Sequence, residues 1–175
     1  MLVDNKIYIA ADQGKIIVLD LTVSSFSTIL LPQGVEYGDR DTMLSRADDA
    51  SGLYLIQAKD LQLRIWFHKG DNWLMVDTIC LVDMCANLRM SDCTGEVERS
   101  SVLQIKHVGE NVEFVFLQMG RCVLYLDIKC RTLRRVCEMT GKNQVFFVHI
   151  YPFKMIWPPT FPPLKDNPSR YGFCS

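Results

Sequence analysis

The chain repeats itself. The stretches KIYIAADQGKIIVLDLTVSSFSTILLP (Lys6 to Pro32), GLYLIQAKDLQLRIWFHKGDNWLMVDTICL (Gly52 to Leu81) and VEFVFLQMGRCVLYLDIKCRTLRRVCEMT (Val112 to Thr140) align without gaps at their centres. Ile9, Asp20 and Phe26 correspond to Ile56, Phe67 and Trp73, and then to Phe116, Asp127 and Leu133, with spacings of 11 and 6 residues in each repeat. Such a chain must fold as a row of like units that bury their apolar faces on one another.

Within each unit the apolar residues alternate, which is the period of a strand. Leu61, Leu63, Ile65 and Phe67 share one face while Gln62, Arg64 and His68 take the other, and Cys122, Leu124, Leu126 and Ile128 repeat the pattern. Clusters of Gly, Asp, Asn, Lys and Ser (ADQGK, TVSS, HKGDN, QMGR) divide each unit into three short strands. A further strand, Asp41 to Ala47 or Ser101 to Val108, precedes the second and third units.

Four-stranded antiparallel units recurring in this way are the signature of propeller blades. The repeat stretches from 47 residues (Ile9 to Ile56) to 60 (Ile56 to Phe116) because Val82 to Ser100 is inserted before the third unit. The expected fold is all-β: a partial β-propeller of about three four-stranded antiparallel blades, the first incomplete for want of its inner strand. A leftover strand, Gln144 to Pro152, follows. A β-sandwich whose repeats reflect only generic hairpin patterning is the alternative. The expected boundaries are 1–153 for the propeller part and 154–175 for a Pro-rich C-terminal segment.

That segment opens with MIWPPTFPP, Met155 to Pro163, in which four of nine residues are proline. Proline can neither donate to a ladder nor continue a helix, so the stretch is extended or turning. Trp157 and Phe161 are expected to seal the last blade; the spacing Pro159-x-x-Pro162 also allows a polyproline ligand.

Composition narrows the function classes. Of 175 residues 49% are hydrophobic, enough for a packed core. Nineteen basic residues stand against twenty acidic ones with no basic block, which argues against nucleic acid as partner. The start lacks a basic and apolar leader, and no apolar run approaches the roughly 18 residues that span a bilayer, so no membrane partner is expected. The seven cysteines are odd in number and read as thiols. Cys80, Cys85 and Cys93 have four and seven residues between them, a poor match to zinc-ligand spacing, so no metal or cofactor is expected.

Catalytic groups are equally sparse. His68 falls in a turn, and His107 alternates with Leu103 and Ile105, as a core histidine would. Asp48, Asp49, Asp39 and Asp41 lie in turns, where Asp bonds its own backbone. There is no nucleophile elbow and no phosphate loop. The expectation is that the chain is not an enzyme. Asp20 and Asp127 occupy one register of equivalent strands, which implies a repeated bond from the strand end to a turn amide.

If the chain binds a partner, loops on one face of the blades are the place, because recognition concentrates on loops held by a rigid scaffold. The turns after the second strand of each unit and the connections between units emerge together, and their candidates are Tyr37, Asp39, Arg40, Lys59, Asp60, Arg89, Gln118 and Arg121.

NWLMVDTICLVDMCANLRM, VGENVEFVFLQMGRCVLYLDIKCRTLRRVCEMT and IYPFKMIWPPTFPPLKD resemble the C-terminal half of the F-box-associated β-propeller proteins abundant in plants, and KIIVLDLTVSSFSTILLP resembles the family's blade pattern. The resemblance runs from about Val3 to Arg170. It implies the substrate-recognition part of a cullin-type ubiquitin ligase, in the cytoplasm or nucleus, with an unknown protein substrate as partner. The family's F-box docks on a Skp-type adaptor. Only five residues precede Lys6, so adaptor binding requires an F-box supplied upstream. The alternative is a truncated or decayed propeller fragment with no independent activity.

Overall fold

The structure is a computed structural model and describes residues 1–11, 14–38, 40–47, 52–88 and 103–138. Among these residues twelve strands form three four-stranded antiparallel sheets in chain order. The first holds β1 (Leu2–Val3), β2 (Lys6–Ala11), β3 (Lys15–Asp20) and β4 (Ser25–Leu30). β5 (Thr42–Arg46), β6 (Leu53–Lys59), β7 (Gln62–Lys69) and β8 (Asn72–Cys80) make the second. β9 (Gln104–Val108), β10 (Phe114–Met119), β11 (Cys122–Asp127) and β12 (Thr132–Glu138) make the third. Each sheet is a simple meander, so each is a propeller blade.

Alternation decides which face packs where. Leu63 and Ile65 of β7, with Ile56 and Ala58 of β6, meet Ile105, Val115, Leu117, Leu124 and Leu126 of the third blade in the largest core cluster. The opposite face of the second blade, through Leu53, Leu55 and Trp66, packs with Ile16 and Val18 of β3 and Val35 of the following connection. The middle blade is therefore buried on both faces.

The blades are also tied by polar contacts at their outer strands. Trp73 Nε1 donates to the Leu30 carbonyl at 2.7 Å, joining the first two blades. Arg131 grips both carboxylate oxygens of Asp77 at 2.8 and 2.7 Å, joining the second and third. At the inner strands Ser45 Oγ donates to the Gly109 carbonyl at 2.8 Å.

Four details differ from the sequence expectation. The first blade has an inner strand after all: Leu2 and Val3 pair with Ile7 and Lys6 across an Asp4-Asn5 turn, whose positive φ values of 46° and 57° suit those residue types. It is only two residues long. The gapless alignment holds between the second and third units but slips in the first. Three residues join Ala11 to Lys15, whereas two join Lys59 to Gln62 and Met119 to Cys122. Tyr8, not Ile9, is thus the counterpart of Ile56, and Ile9 is 50% exposed where Ile56 is fully buried.

His107 leaves the face of Ile105. A bulge shifts the register between Phe116 and Leu117, so Ile105 opposes inward-facing Leu117 while His107 opposes outward-facing Phe116 and lies 6.1 Å from the Phe114 ring. Finally, the insertion begins with a short helix, α1 (Val82–Asn87), whose Cys85 is buried in the core. The strand expected over Gln144 to Pro152 and the seal residues Trp157 and Phe161 lie outside the described residues.

The Asp20 and Asp127 expectation holds. Asp20 Oδ1 accepts the Thr22 and Val23 amides at 2.9 and 3.3 Å, and Asp127 Oδ1 accepts the Cys130 amide at 2.7 Å. The Thr22 amide first, with help from the Val23 amide and the Lys6 ammonium, holds the Asp20 carboxyl below its ordinary pKa against an opposing desolvation. Four residues separate the strands there, against the two of Gly70-Asp71 in the middle blade, where Gly70 takes φ 65° and no carboxylate is needed.

Candidate functional site

Two ends of the blades present loops. One carries the turns between second and third strands and the connections between blades. The other carries the remaining turns.

The first end holds the residues singled out by sequence. It is built by a repeated backbone bond: the Leu31 amide donates to the Gly14 carbonyl at 2.9 Å, and the Leu81 amide to the Leu61 carbonyl at 2.8 Å. Each connection is so pinned beside the preceding turn. Arg40 is exposed, while its carbonyl accepts the Ile105 amide at 2.7 Å, stitching the first connection to the inner strand of the third blade. Burial, and then the neighbouring Arg40 guanidinium, push the Lys106 ammonium below its usual pKa, so positive charge gathers here. Tyr37 is half-buried on the same connection.

Lys59 and Asp60 are exposed, but Asp60 also shapes the backbone, since it and Leu61 carry positive φ of 52° and 56° in a two-residue hairpin turn. Gln118 Nε2 donates to the Gly120 carbonyl at 3.1 Å, bracing its own turn, with Arg121 exposed beside it. These six residues share one end of the blades; Asp39 and Arg89 lie outside the described residues. Beneath, on the face of the middle blade turned to the first, Gln57 Oε1 is buried with no hydrogen-bond partner among the described residues.

The second end holds a feature that sequence reasoning missed. A groove of about 760 Å³ opens between the first and second blades, with Asp4, Lys6, Tyr8, His68 and Asp71 in its walls and Val18, Ile29 and Leu53 beneath. His68 is not in a turn. It is the penultimate residue of β7, on the face toward the first blade, with 9% of its surface exposed. Its ring lies 4.7 Å from Trp73, which the Leu30 carbonyl holds in place. Burial pushes the imidazole pKa down, partly offset by Asp71, so the ring is neutral at pH 7. The two-residue Gly-Asp turn was the signal that could have found it, since it places His68 inside the strand and not in a loop.

Among the described residues no cluster of three or more His, Cys, Asp or Glu could hold a metal ion. Cys80, Cys85, Cys122, Cys130 and Cys137 are free thiols. What the geometry offers is surface on a sheet scaffold: a loop end with Arg40, Lys59 and Arg121 among its residues, and a groove with Asp4 and Asp71 in its walls.

A family model described as "F-box protein AT5G49610-like, beta-propeller" matches residues 1–161. The chain belongs to this propeller family. Membership agrees with the three meandering sheets, and it places the F-box-type propeller among protein-interaction modules. No curated relative matches the sequence.

Proposed function

We propose that this F-box-type propeller is a non-enzymatic protein-binding module that serves as the substrate-recognition part of a cullin-type ubiquitin ligase. The family match over residues 1–161 carries the reading. Binding would be by surface, with Tyr37, Arg40, Lys59, Asp60, Gln118 and Arg121 as contacts, and chemistry would be done by other subunits. A Skp-type adaptor enters only through an F-box joined upstream.

A fusion of an F-box to the N-terminus of the chain tests both halves. Co-purification with the adaptor, and ubiquitination of a cross-linked partner that is lost with Arg40→Glu and Arg121→Glu, is the expected result. An adaptor-bound fusion that recruits nothing, or recruits equally in both variants, overturns it.

One observation favours a second reading, a propeller fragment without activity of its own. Among the described residues the first blade keeps an apolar face bare, with Phe26 75% exposed. A monomeric chain with one cooperative thermal transition would count against that reading.

A further inference from the structure

We infer that the groove between the first and second blades receives a cationic side chain, arginine or lysine, from an extended segment of a partner protein. The inference rests on the protein-binding reading above and gives it a second site with a stated chemistry, on the end of the blades opposite the loops of Arg40 and Arg121.

The groove holds two carboxylates that no cation of the described residues pairs. Asp4 and Asp71 stand in two different hairpin turns, one from each blade, and among the described residues neither carboxylate makes a hydrogen bond or ion pair. Among the described residues of the wall the one cation is Lys6, which is already committed to Asp20 at 3.6 Å. Turn chemistry alone explains small polar residues at such positions. It does not explain His68.

That imidazole is nine-tenths buried, lines the groove, and has no hydrogen-bond partner among the described residues. The body of the ring is held in this place by its packing on Trp73, while its nitrogens open to the groove. Because burial keeps the ring neutral, one of its nitrogens is an acceptor at pH 7.

The lining fits a long cationic side chain in both of its parts. Val18, Ile29 and Leu53 give an apolar floor for the aliphatic stem, while the carboxylates of Asp4 and Asp71 and the His68 nitrogen accept from the charged head. An acidic or purely apolar residue would leave those acceptors unpaired. About 760 Å³ is room for one such side chain with its flanking backbone.

The test uses the full chain labelled with nitrogen-15 and two capped tripeptides, Ala-Arg-Ala and its neutral isostere Ala-citrulline-Ala. The arginine peptide should shift the Gly52, Gly70 and Asp71 amides and the Trp73 indole, and should bind at least about tenfold more tightly than the citrulline peptide. Asp4→Asn with Asp71→Asn, which suits both turns, should remove that preference while leaving the melting temperature in place. Equal binding of the two peptides overturns the proposal, as does a response confined to the Arg40 and Arg121 end or no groove response at all. Because no F-box or adaptor takes part, this result and that of the ubiquitination assay can fail separately.

Discussion

The first and third blades share a topology and differ in what they bury. In the third, the face toward its neighbour is a closed layer, with Val115, Leu117, Leu124 and Leu126 fully buried. In the first, Ile16 and Val18 are buried on one face, but Leu2, Ile9, Phe26 and Leu30 on the other are exposed by half or more. Among the described residues, the same strand pattern thus gives a core where a neighbouring sheet lies against it and an exposed apolar surface where none of them does. Burial of a large apolar side chain contributes about 1.5–3 kcal/mol, so the third blade and its contact with the second dominate stability.

Leu124→Ala should therefore cost about 2–5 kcal/mol in urea denaturation, whereas Phe26→Ala should change stability by less than about 0.5 kcal/mol and reduce self-association in light scattering. Similar costs at the two positions would mean that the first blade's bare face is covered in solution. Next in size is Gly52→Ala. An added Cβ would fall on the Phe67 ring and within 2.8 Å of the His68 carbonyl, so a loss of about 1–3 kcal/mol is expected from overpacking the middle blade.

Trp73→Phe separates the blades more selectively. It strips the hydrogen bond from the Leu30 carbonyl, at about 1–2 kcal/mol, and hydrogen exchange should rise in β3 and β4 while β10 and β11 keep their protection. Gln57→Met goes the other way. Removing an unpaired buried oxygen in favour of a side chain of like shape should stabilise by about 1 kcal/mol in thermal unfolding.

The smallest effect is on pH. Burial lowers the pKa of His68 and of His107 from 6.5, so the unfolded chain binds more protons than the folded one. Their contribution is present above pH 6.5 and is lost as pH falls through the lowered values. His68→Gln should flatten that slope in melting curves taken between about pH 7 and 5, with His107 supplying what remains.

Much of the fold was legible because sheet periodicity and turn residues are local signals. The alternation of Leu63, Ile65 and Phe67 placed β7, and the shared register of Asp20 and Asp127 anticipated both turn bonds. The failures have local causes of another kind. His107 changed faces through one bulge, and Ile9 lost its place because the first hairpin has one more residue in its turn than the others. A shift of a single residue reverses every side chain that follows it, and single residues carry little pattern.

The candidate sites divide in the same way. Loop positions such as Arg40 and Arg121 follow from the order of strands, since antiparallel meanders send alternate turns to one end. The groove does not, because Asp4, His68 and Asp71 come from two blades and meet only when Leu53 packs on Ile16 and Val18. Repeating strands, their turns and their apolar stripes depend on neighbours a few residues apart, so they can be read along the chain. Which stripe is covered depends on the sheet packed against it, so among the described residues burial is settled only by how the blades assemble.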